Sequence, residues 1–335
     1  MRYFFTSLTR ITDLQTGPFD VEPLPRSQWD TGDYVAAEVI GTPSSLYRAE
    51  LDSGRLVDVV PGDNLIGAFG TRAATLEGVG DWKHIESDLQ MEALTAAGLF
   101  GKATSTSPLL PRLMSLIYKG HVIRNGQKLC MKNFVGAVKE QNFDTPIVLL
   151  VGTSMSAGKT TTGRLIIHEL KKAGLSVVGA KLTGAGRYRD ILSFADAGAD
   201  HIFDFVDVGL PSTVCSEEEY RTALLQLLSR IARLNADVMV TECGASPLEP
   251  YNGQVAINEI RSNVRCTVLC ASDPYAVAGV QVAFAIDPDL VAGPAANTDA
   301  AISLVKKLTG VTAMNLMKTD ALPGLNTFLK EKLDF

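Results

Sequence analysis

From Pro146 onward the apolar residues come in short continuous runs, at 147–151, 175–181, 237–241, 266–271, 290–292 and 311–316. Runs of that length without polar alternation are what strands covered on both faces require. Between most of them the spacing turns helical, over 160–173, 217–236, 275–285 and 298–308. Gly174 follows the first of these segments and Ser216 precedes the second, the residue types that close and open helices. Strand–helix alternation of this kind predicts an α/β domain, a mainly parallel sheet wrapped by helices.

The first part of the chain has a different pattern. Hydrophobic and polar positions alternate over short spans at 32–40, then at 46–51 and 55–60 around Asp52-Ser53-Gly54. That trio reads as a hairpin turn, as does Arg124-Asn125-Gly126-Gln127 between 120–123 and 128–131. Residues 89–99 read as a helix. The expected organisation is a smaller β-rich domain over 1–137, of barrel or sandwich type, a polar linker over 138–145, and the α/β domain over 146–335.

The most informative stretch runs Val-Leu-Leu-Val-Gly-Thr-Ser-Met-Ser-Ala-Gly-Lys-Thr-Thr-Thr, residues 148–162. A strand ends at Gly152, a loop of small residues follows, and a helix opens at Gly158-Lys159-Thr160. Glycines let backbone N–H groups approach phosphate oxygens, and the helix N-terminus adds unpaired donors and the positive end of a dipole. Five residues separate Gly152 from Gly158, one more than the commonest phosphate loop has. This Walker A-like P-loop assigns Gly152, Thr153, Ser156, Ala157, Gly158, Lys159, Thr160 and Thr161 to a nucleotide. Lys159 would bridge the terminal phosphates, and the Thr160 hydroxyl would ligate Mg²⁺.

Ligands of an open α/β sheet bind outside the carboxyl ends of its strands. Glu242 ends one apolar strand and is the expected Mg²⁺ partner there, with Lys159 and Lys181 as the cations that neutralise a transferring group. Lys181 ends another strand and is followed by Thr183-Gly184, then by Arg187 and Arg189, which could clamp an acidic substrate or simply face solvent. Asp190, Asp204 and Asp207 compete to supply the second acidic contact, Asp207 doubling as a substrate-side residue. Asn297, at a late strand-to-helix junction, could cap the helix or read a purine edge, capping being the favoured role.

Composition narrows the field further. A net charge of −6 argues against a nucleic-acid partner, which needs a basic footprint. No stretch approaches the ~20 apolar residues of a membrane span, and the N-terminus lacks a signal-peptide core, so a cytoplasmic location is expected. The five cysteines form no Cys-x-x-Cys pair and read as buried free thiols, and the four histidines have no metal-ligand spacing.

The assembled set resembles dethiobiotin synthetase and its relatives among the P-loop NTPases. The matching parts are the Gly-x5-Gly-Lys-Thr loop at 152–160, Lys181 after the second strand, and the Glu-x-Gly-x turn at 242–245. The resemblance implies phosphate binding by Gly158 and Lys159, Mg²⁺ at Thr160 and Glu242, and substrate contact by Lys181. The second half is also similar to a P-loop family that includes N-acetyl-D-glutamate synthesising acyltransferases. Thr183-Gly184, Asp204-Phe205-Val206 and Glu242-Cys243-Gly244 match that family in order.

Three functions follow as expectations. The first is an ATP- and Mg²⁺-dependent enzyme, a ligase, synthetase or kinase that activates a small acidic or amine-bearing metabolite by phosphoryl transfer, expected as a homodimer. The second is a transferase that uses the same loop for the pyrophosphate of CoA or acetyl-CoA. The third is a nucleotide-gated switch or chaperone. A guanine-specific Asn-Lys-x-Asp motif is absent, because Met317 stands where Asn is required before Lys318-Thr319-Asp320.

Overall fold

The structure is a computed structural model that describes residues 2–244, 246–284 and 286–335. Ala245, the last position of the expected Glu-Cys-Gly-Ala turn, and Ala285, the expected end of a helix, lie outside the described residues. The chain divides into two compact units. The first comprises Met1–Ala137 together with Ala185–Arg189 and Phe205–Ser216; the second comprises Val138–Gly184, Asp190–Asp204 and Glu217–Phe335. Two short segments of the second half of the sequence thus belong to the first unit.

The first unit is built from β1 (Tyr3–Phe5), β2 (Asp20–Glu22), β3 (Tyr34–Ile40), β4 (Arg48–Glu50), β5 (Leu56–Asp58), β6 (Asn64–Phe69), β7 (Thr71–Ala74) and β8 (Gly78–Asp81), followed by β9 (Gln90–Thr95), β10 (Leu99–Thr106), β11 (Met114–Arg124) and β12 (Gln127–Lys128). Strands β6, β3, β11, β9 and β10 pair in that order, and the parallel match of Leu99 and Phe100 with Ala68 and Phe69 closes them into a barrel. Closure removes the sheet edges that would otherwise invite pairing with another chain. Alternate residues Val35, Ala37 and Val39 of β3 point into the barrel with Leu65, Phe69, Met91, Phe100 and Leu116, as the period of two dictates. Both expected hairpins form, β4–β5 around Ser53 and β11–β12 around Asn125-Gly126.

Residues 89–99 are not a helix. They hold β9, the turn at Ala96-Ala97-Gly98, and the start of β10. The segment's alanines and leucines favour a helix in isolation, but Met91 and Ala93 on one face of β9 fill the barrel while its backbone pairs with β10 and β11. Tertiary pairing overrides local propensity here.

The second unit carries β13 (Ile147–Gly152), α1 (Lys159–Lys172), β14 (Val177–Thr183), α2 (Tyr188–Asp196), β15 (His201–Asp204) and α3 (Glu217–Ala232), then β16 (Val238–Cys243), α4 (Gly253–Ile260), β17 (Val264–Cys270), α5 (Pro274–Phe284), β18 (Leu290–Ala292), α6 (Asp299–Thr309) and α7 (Leu322–Leu333). The first two residues of α2 are grouped with the first unit. The sheet order is β15-β14-β16-β13-β17-β18, and every pairing is parallel. Helix α1 lays Ile166, Ile167 and Leu170 on Val148, Leu150, Val240 and Val268, and Leu325 and Leu329 of α7 join the same core.

Three helices (α2, α4 and α7) and the strand β15 add to the sequence reading. Residues 311–316 do not form the expected strand. Only a single bridge, Val291 to Ala313, joins them to β18. Asn315 then turns the chain, its side chain donating to Asn297 O at 2.8 Å and accepting the Met317 N–H at 3.1 Å.

Candidate functional site

Strand β13 ends at Gly152 and α1 begins at Lys159, with the loop between them. Gly158 is the N-cap of α1 and sits at φ 94°, a left-handed conformation that favours glycine. At Gly152 a Cβ would come within 2.6 Å of Lys159 Nζ, so only glycine lets that side chain fold back over the strand end. Lys159 Nζ donates to Ser154 O at 2.8 Å. Thr153 is tied to the neighbouring strand end: its N–H donates to Cys270 O at 3.1 Å, and its hydroxyl accepts the Ser272 N–H at 3.1 Å.

The strand register places the charged residues. Leu150 of β13 pairs with Glu242 of β16, Glu242 with Lys181 of β14, and Lys181 with Asp204 of β15. In-register residues of parallel strands project to one face. Glu242, Lys181 and Asp204 therefore form a row at the carboxyl ends of three adjacent strands, on the face that carries α1. Thr160, in the first turn of α1, donates its hydroxyl to Glu242 Oε2 at 3.0 Å. Lys181 Nζ is paired with Asp190 Oδ2 of α2 at 2.6 Å. The Thr183 hydroxyl donates to Gly244 O at 2.5 Å, which fixes the turn after Glu242.

Burial sets the electrostatics of this row. Glu242 is 2% exposed, and burial raises its carboxyl above the usual carboxylate range; Lys181 pulls it back down, and Asp190 pushes it up again. Lys159 is held below the ordinary lysine range by burial, against the attraction of Glu242. At Lys181 burial works in the same direction, but the Asp190 and Glu242 carboxylates outweigh it and hold the ammonium above the ordinary range. Cys243, inside the Glu-Cys-Gly turn, is buried, and its thiol is pushed up to about 12. It is inert as a nucleophile at neutral pH.

A cavity of about 270 Å³ opens beside the loop, lined by Ser156, Gly158, Thr161, Leu165, Asn297 and Met317 among others. Asn297 is not the cap of α6. Thr298 is, its hydroxyl accepting the Ala301 N–H at 3.2 Å. The residue one position later has the extended backbone that a cap needs, whereas Asn297 is already helical. The Asn297 side chain is exposed at the cavity instead. Leu165, Pro294, Leu316 and Met317 supply apolar walls that the sequence reading did not assign. Their signal was the late strand-to-helix junction already marked by Asn297.

The structure brings Lys159, Thr160, Lys181, Asp190, Asp204 and Glu242 together within the second unit. Thr183 and Gly184 end the strand that carries Lys181. Arg187, Arg189 and Asp207 belong to the first unit. Both arginines are exposed, and Asp207 is engaged by Arg10 at 2.8 Å, so its carboxylate already has a cation as its partner. Glu249 was missed; it accepts the Ser246 N–H at 2.8 Å and adds to the field on Lys159. Among the described residues no group of three or more His, Cys, Asp or Glu converges on a metal position, and no helix is long and apolar enough to cross a membrane.

An all-parallel sheet with a phosphate loop between β13 and α1 makes the second unit a nucleotide-binding P-loop domain. Neither a family model nor a curated protein matches the chain. Solved structures similar to it include a DUF1611 family protein from Anabaena variabilis, at 17% identity over 58% of this chain and 61% of that one, with a TM-score of 0.36. HypB from Helicobacter pylori, in complex with nickel, is 16% identical over 57% of this chain and 88% of its own, with a TM-score of 0.39. The signal recognition particle receptor FtsY from Elizabethkingia anophelis, in complex with GDP, is 13% identical over 54% and 58%, with a TM-score of 0.38. This chain spans less than two thirds of the length of the DUF1611 and FtsY structures.

Proposed function

We propose that this protein is an ATP- and Mg²⁺-dependent enzyme that activates a small acidic or amine-bearing metabolite by phosphoryl transfer. The observation that carries this reading is the in-register row Glu242–Lys181–Asp204 facing Lys159 and Thr160. The Thr160 hydroxyl and the Glu242 carboxylate, 3.0 Å apart, are the hard oxygen donors that Mg²⁺ takes. Bound there, the ion would neutralise charge on the terminal phosphates. Asp204, buried at the far end of the row, adds a negative charge beside Lys181.

The chain's own residues do the rest by position and charge. Backbone N–H groups at the start of α1 hold phosphate oxygens, and Lys159 leaves Ser154 O for the β- and γ-phosphates. Lys181, kept charged by Asp190, faces the group being moved. The cavity beside Gly158 takes the base. Asn297 offers both a donor and an acceptor, as an adenine edge requires. Among the described residues, those that line it include no Asp or Glu.

The test is thermal unfolding of the wild type and Lys159→Ala with ATP, GTP, CoA and acetyl-CoA, each with and without Mg²⁺. A ligand at 100 times its Kd adds about 2.7 kcal/mol, which is roughly 5–10 °C for a domain of this size. ATP should produce such a shift only with Mg²⁺ and only in the wild type. A shift with acetyl-CoA and none with ATP would replace this reading with the acyltransferase one.

A further inference from the structure

The chain leaves the second unit after Gly184, runs through Ala185–Arg189 in the first unit, and returns at Asp190. Glu50 holds that excursion. It ends β4, is fully buried, and its Oε1 accepts both the Ser7 hydroxyl at 2.6 Å and the Tyr188 N–H at 2.7 Å. Tyr188 is the first residue of α2. Its N–H is one of the four that a helix cannot satisfy internally, and a carboxylate at that end also meets the positive end of the helix dipole.

Other contacts fix the same short segment. The Arg10 guanidinium lies 4.7 Å from the centre of the Tyr188 ring and pairs with Asp207 at 2.8 Å. Gly186 N–H donates to Pro211 O at 3.0 Å, and Ala185 bridges to Ser212. The excursions after β14 and after β15 are therefore tied to each other within the first unit. Two residues beyond Tyr188, on the same helix turn, stands Asp190, the partner of Lys181.

We infer that Glu50 is a positioning residue for the Lys181–Asp190 pair: it fixes the first turn of α2, and with it the carboxylate that holds the Lys181 ammonium at the end of β14. The inference relies on the proposed function only for placing Lys181 in the active site.

The experiment reads Lys181 in the nucleotide-free, full-length protein. A short pulse of acetic anhydride is followed by peptide mass spectrometry, with the acetylation rates of Lys181, buried Lys159 and surface Lys171 compared in each variant. Asp190→Asn sets the rate for a Lys181 that has lost its carboxylate partner. Glu50→Ala is expected to speed Lys181 acetylation by about tenfold, the scale of one lost buried charge-assisted hydrogen bond, with Lys159 and Lys171 unchanged. Glu50→Gln keeps an acceptor oxygen and should stay within about twofold of wild type.

If Glu50→Ala does not fold, Tyr188→Pro decides. Proline is tolerated at the first helical position and removes the N–H that Glu50 accepts, so it should also expose Lys181 by about tenfold. Tyr188→Ala, which keeps that N–H and loses only the ring against Arg10, is its control and should stay within about twofold of wild type. Protection of Lys181 within about twofold of wild type in folded Glu50→Ala or Tyr188→Pro would overturn the inference. So would equal acceleration at Lys159 and Lys181, which is what a general loosening produces. A wild type that binds no nucleotide would sink the proposed function and leave this result standing.

Discussion

Both units bury charged side chains, but they build the two clusters differently. In the first unit Asp33, almost fully buried, pairs with Lys128 at 2.7 Å, accepts the Asp30 N–H at 2.7 Å and lies 3.3 Å from His121 Nε2. His121 Nδ1 is 2.6 Å from the Tyr118 hydroxyl, which accepts the Leu24 N–H. The Trp29 and Phe69 rings pack against the imidazole, each with its centre 5.6 Å away. Asp33, Tyr118 and His121 are buried, Lys128 reaches Asp33 from the surface, and each contact ends on another group of the same unit. In the second unit the charges stand in a row at the carboxyl ends of parallel strands. Lys159 rests on a loop carbonyl, and Thr160 rests on Glu242. The first arrangement specifies a fold, and the second leaves groups that a phosphate can recruit. What separates them is where the partners come from, since burial alone is common to both.

The largest effect that tests this contrast is on the closed cluster. Asp33→Ala would strand Lys128 and His121, and removing one partner of a buried ion pair costs about 3–5 kcal/mol. The lower end is expected, because Lys128 is one-third exposed and can turn to water. Both tryptophans, Trp29 and Trp82, lie in the first unit, so tryptophan fluorescence in a urea titration follows this unit alone. The ATP-induced shift of the second unit should keep its size. A loss below about 1 kcal/mol would mean that the network contributes nothing its neighbours do not already supply.

Glu242→Gln probes the open cluster, and its stability effect has the opposite sign. The Glu242 carboxyl is raised above its ordinary value of 4.5, first by burial, so ionisation costs the folded state. That cost is absent below about 4.5 and builds as the pH rises from there through the folded-state value. The neutral amide should therefore leave the nucleotide-free chain at least as stable as wild type at neutral pH. The advantage should fade as the pH falls toward 4.5, as followed by circular dichroism. The same variant should lose the Mg²⁺-dependent part of the ATP shift. Marked destabilisation at neutral pH would instead make the row a structural ion cluster like that of Asp33.

The two clusters also differed in how far the sequence disclosed them. The open one was largely visible because Gly152, Lys181 and Glu242 each close a short apolar run, and strand ends are where α/β sheets bind ligands. Asp204 stood only among three competing acids, because β15 was not foreseen. The closed one was hidden, because Asp33, Tyr118, His121 and Lys128 meet only through barrel closure, and nothing local joins them. Helix α2 escaped notice for a related reason. Its first N–H is satisfied by Glu50, 138 positions earlier, so no capping residue announces it. At 89–99 the composition pointed to a helix, and only pairing with β11 and β10 revealed a strand. Asn297 was given the cap that Thr298 holds, a shift of one residue that frees its amide for the cavity.

The smallest expected effect separates burial from distance. Arg48 and Asp58, facing each other across the β4–β5 hairpin, are 2.8 Å apart, nearly the spacing of Lys128 and Asp33. Their side chains are 56% and 80% exposed, so water competes with the pair and salt screens it. Arg48→Ala should cost less than about 0.5 kcal/mol in the same urea titration. Because Arg48 shares β4 with Glu50, the substitution also asks whether that strand is held by its surface or by its buried end. Acetylation of Lys181 should be unchanged in Arg48→Ala if Glu50, tied to Ser7 and Tyr188, anchors the strand from inside. A loss above about 1 kcal/mol, accompanied by faster acetylation, would mean that the exposed pair sets the hairpin register and that Glu50 inherits its position from it.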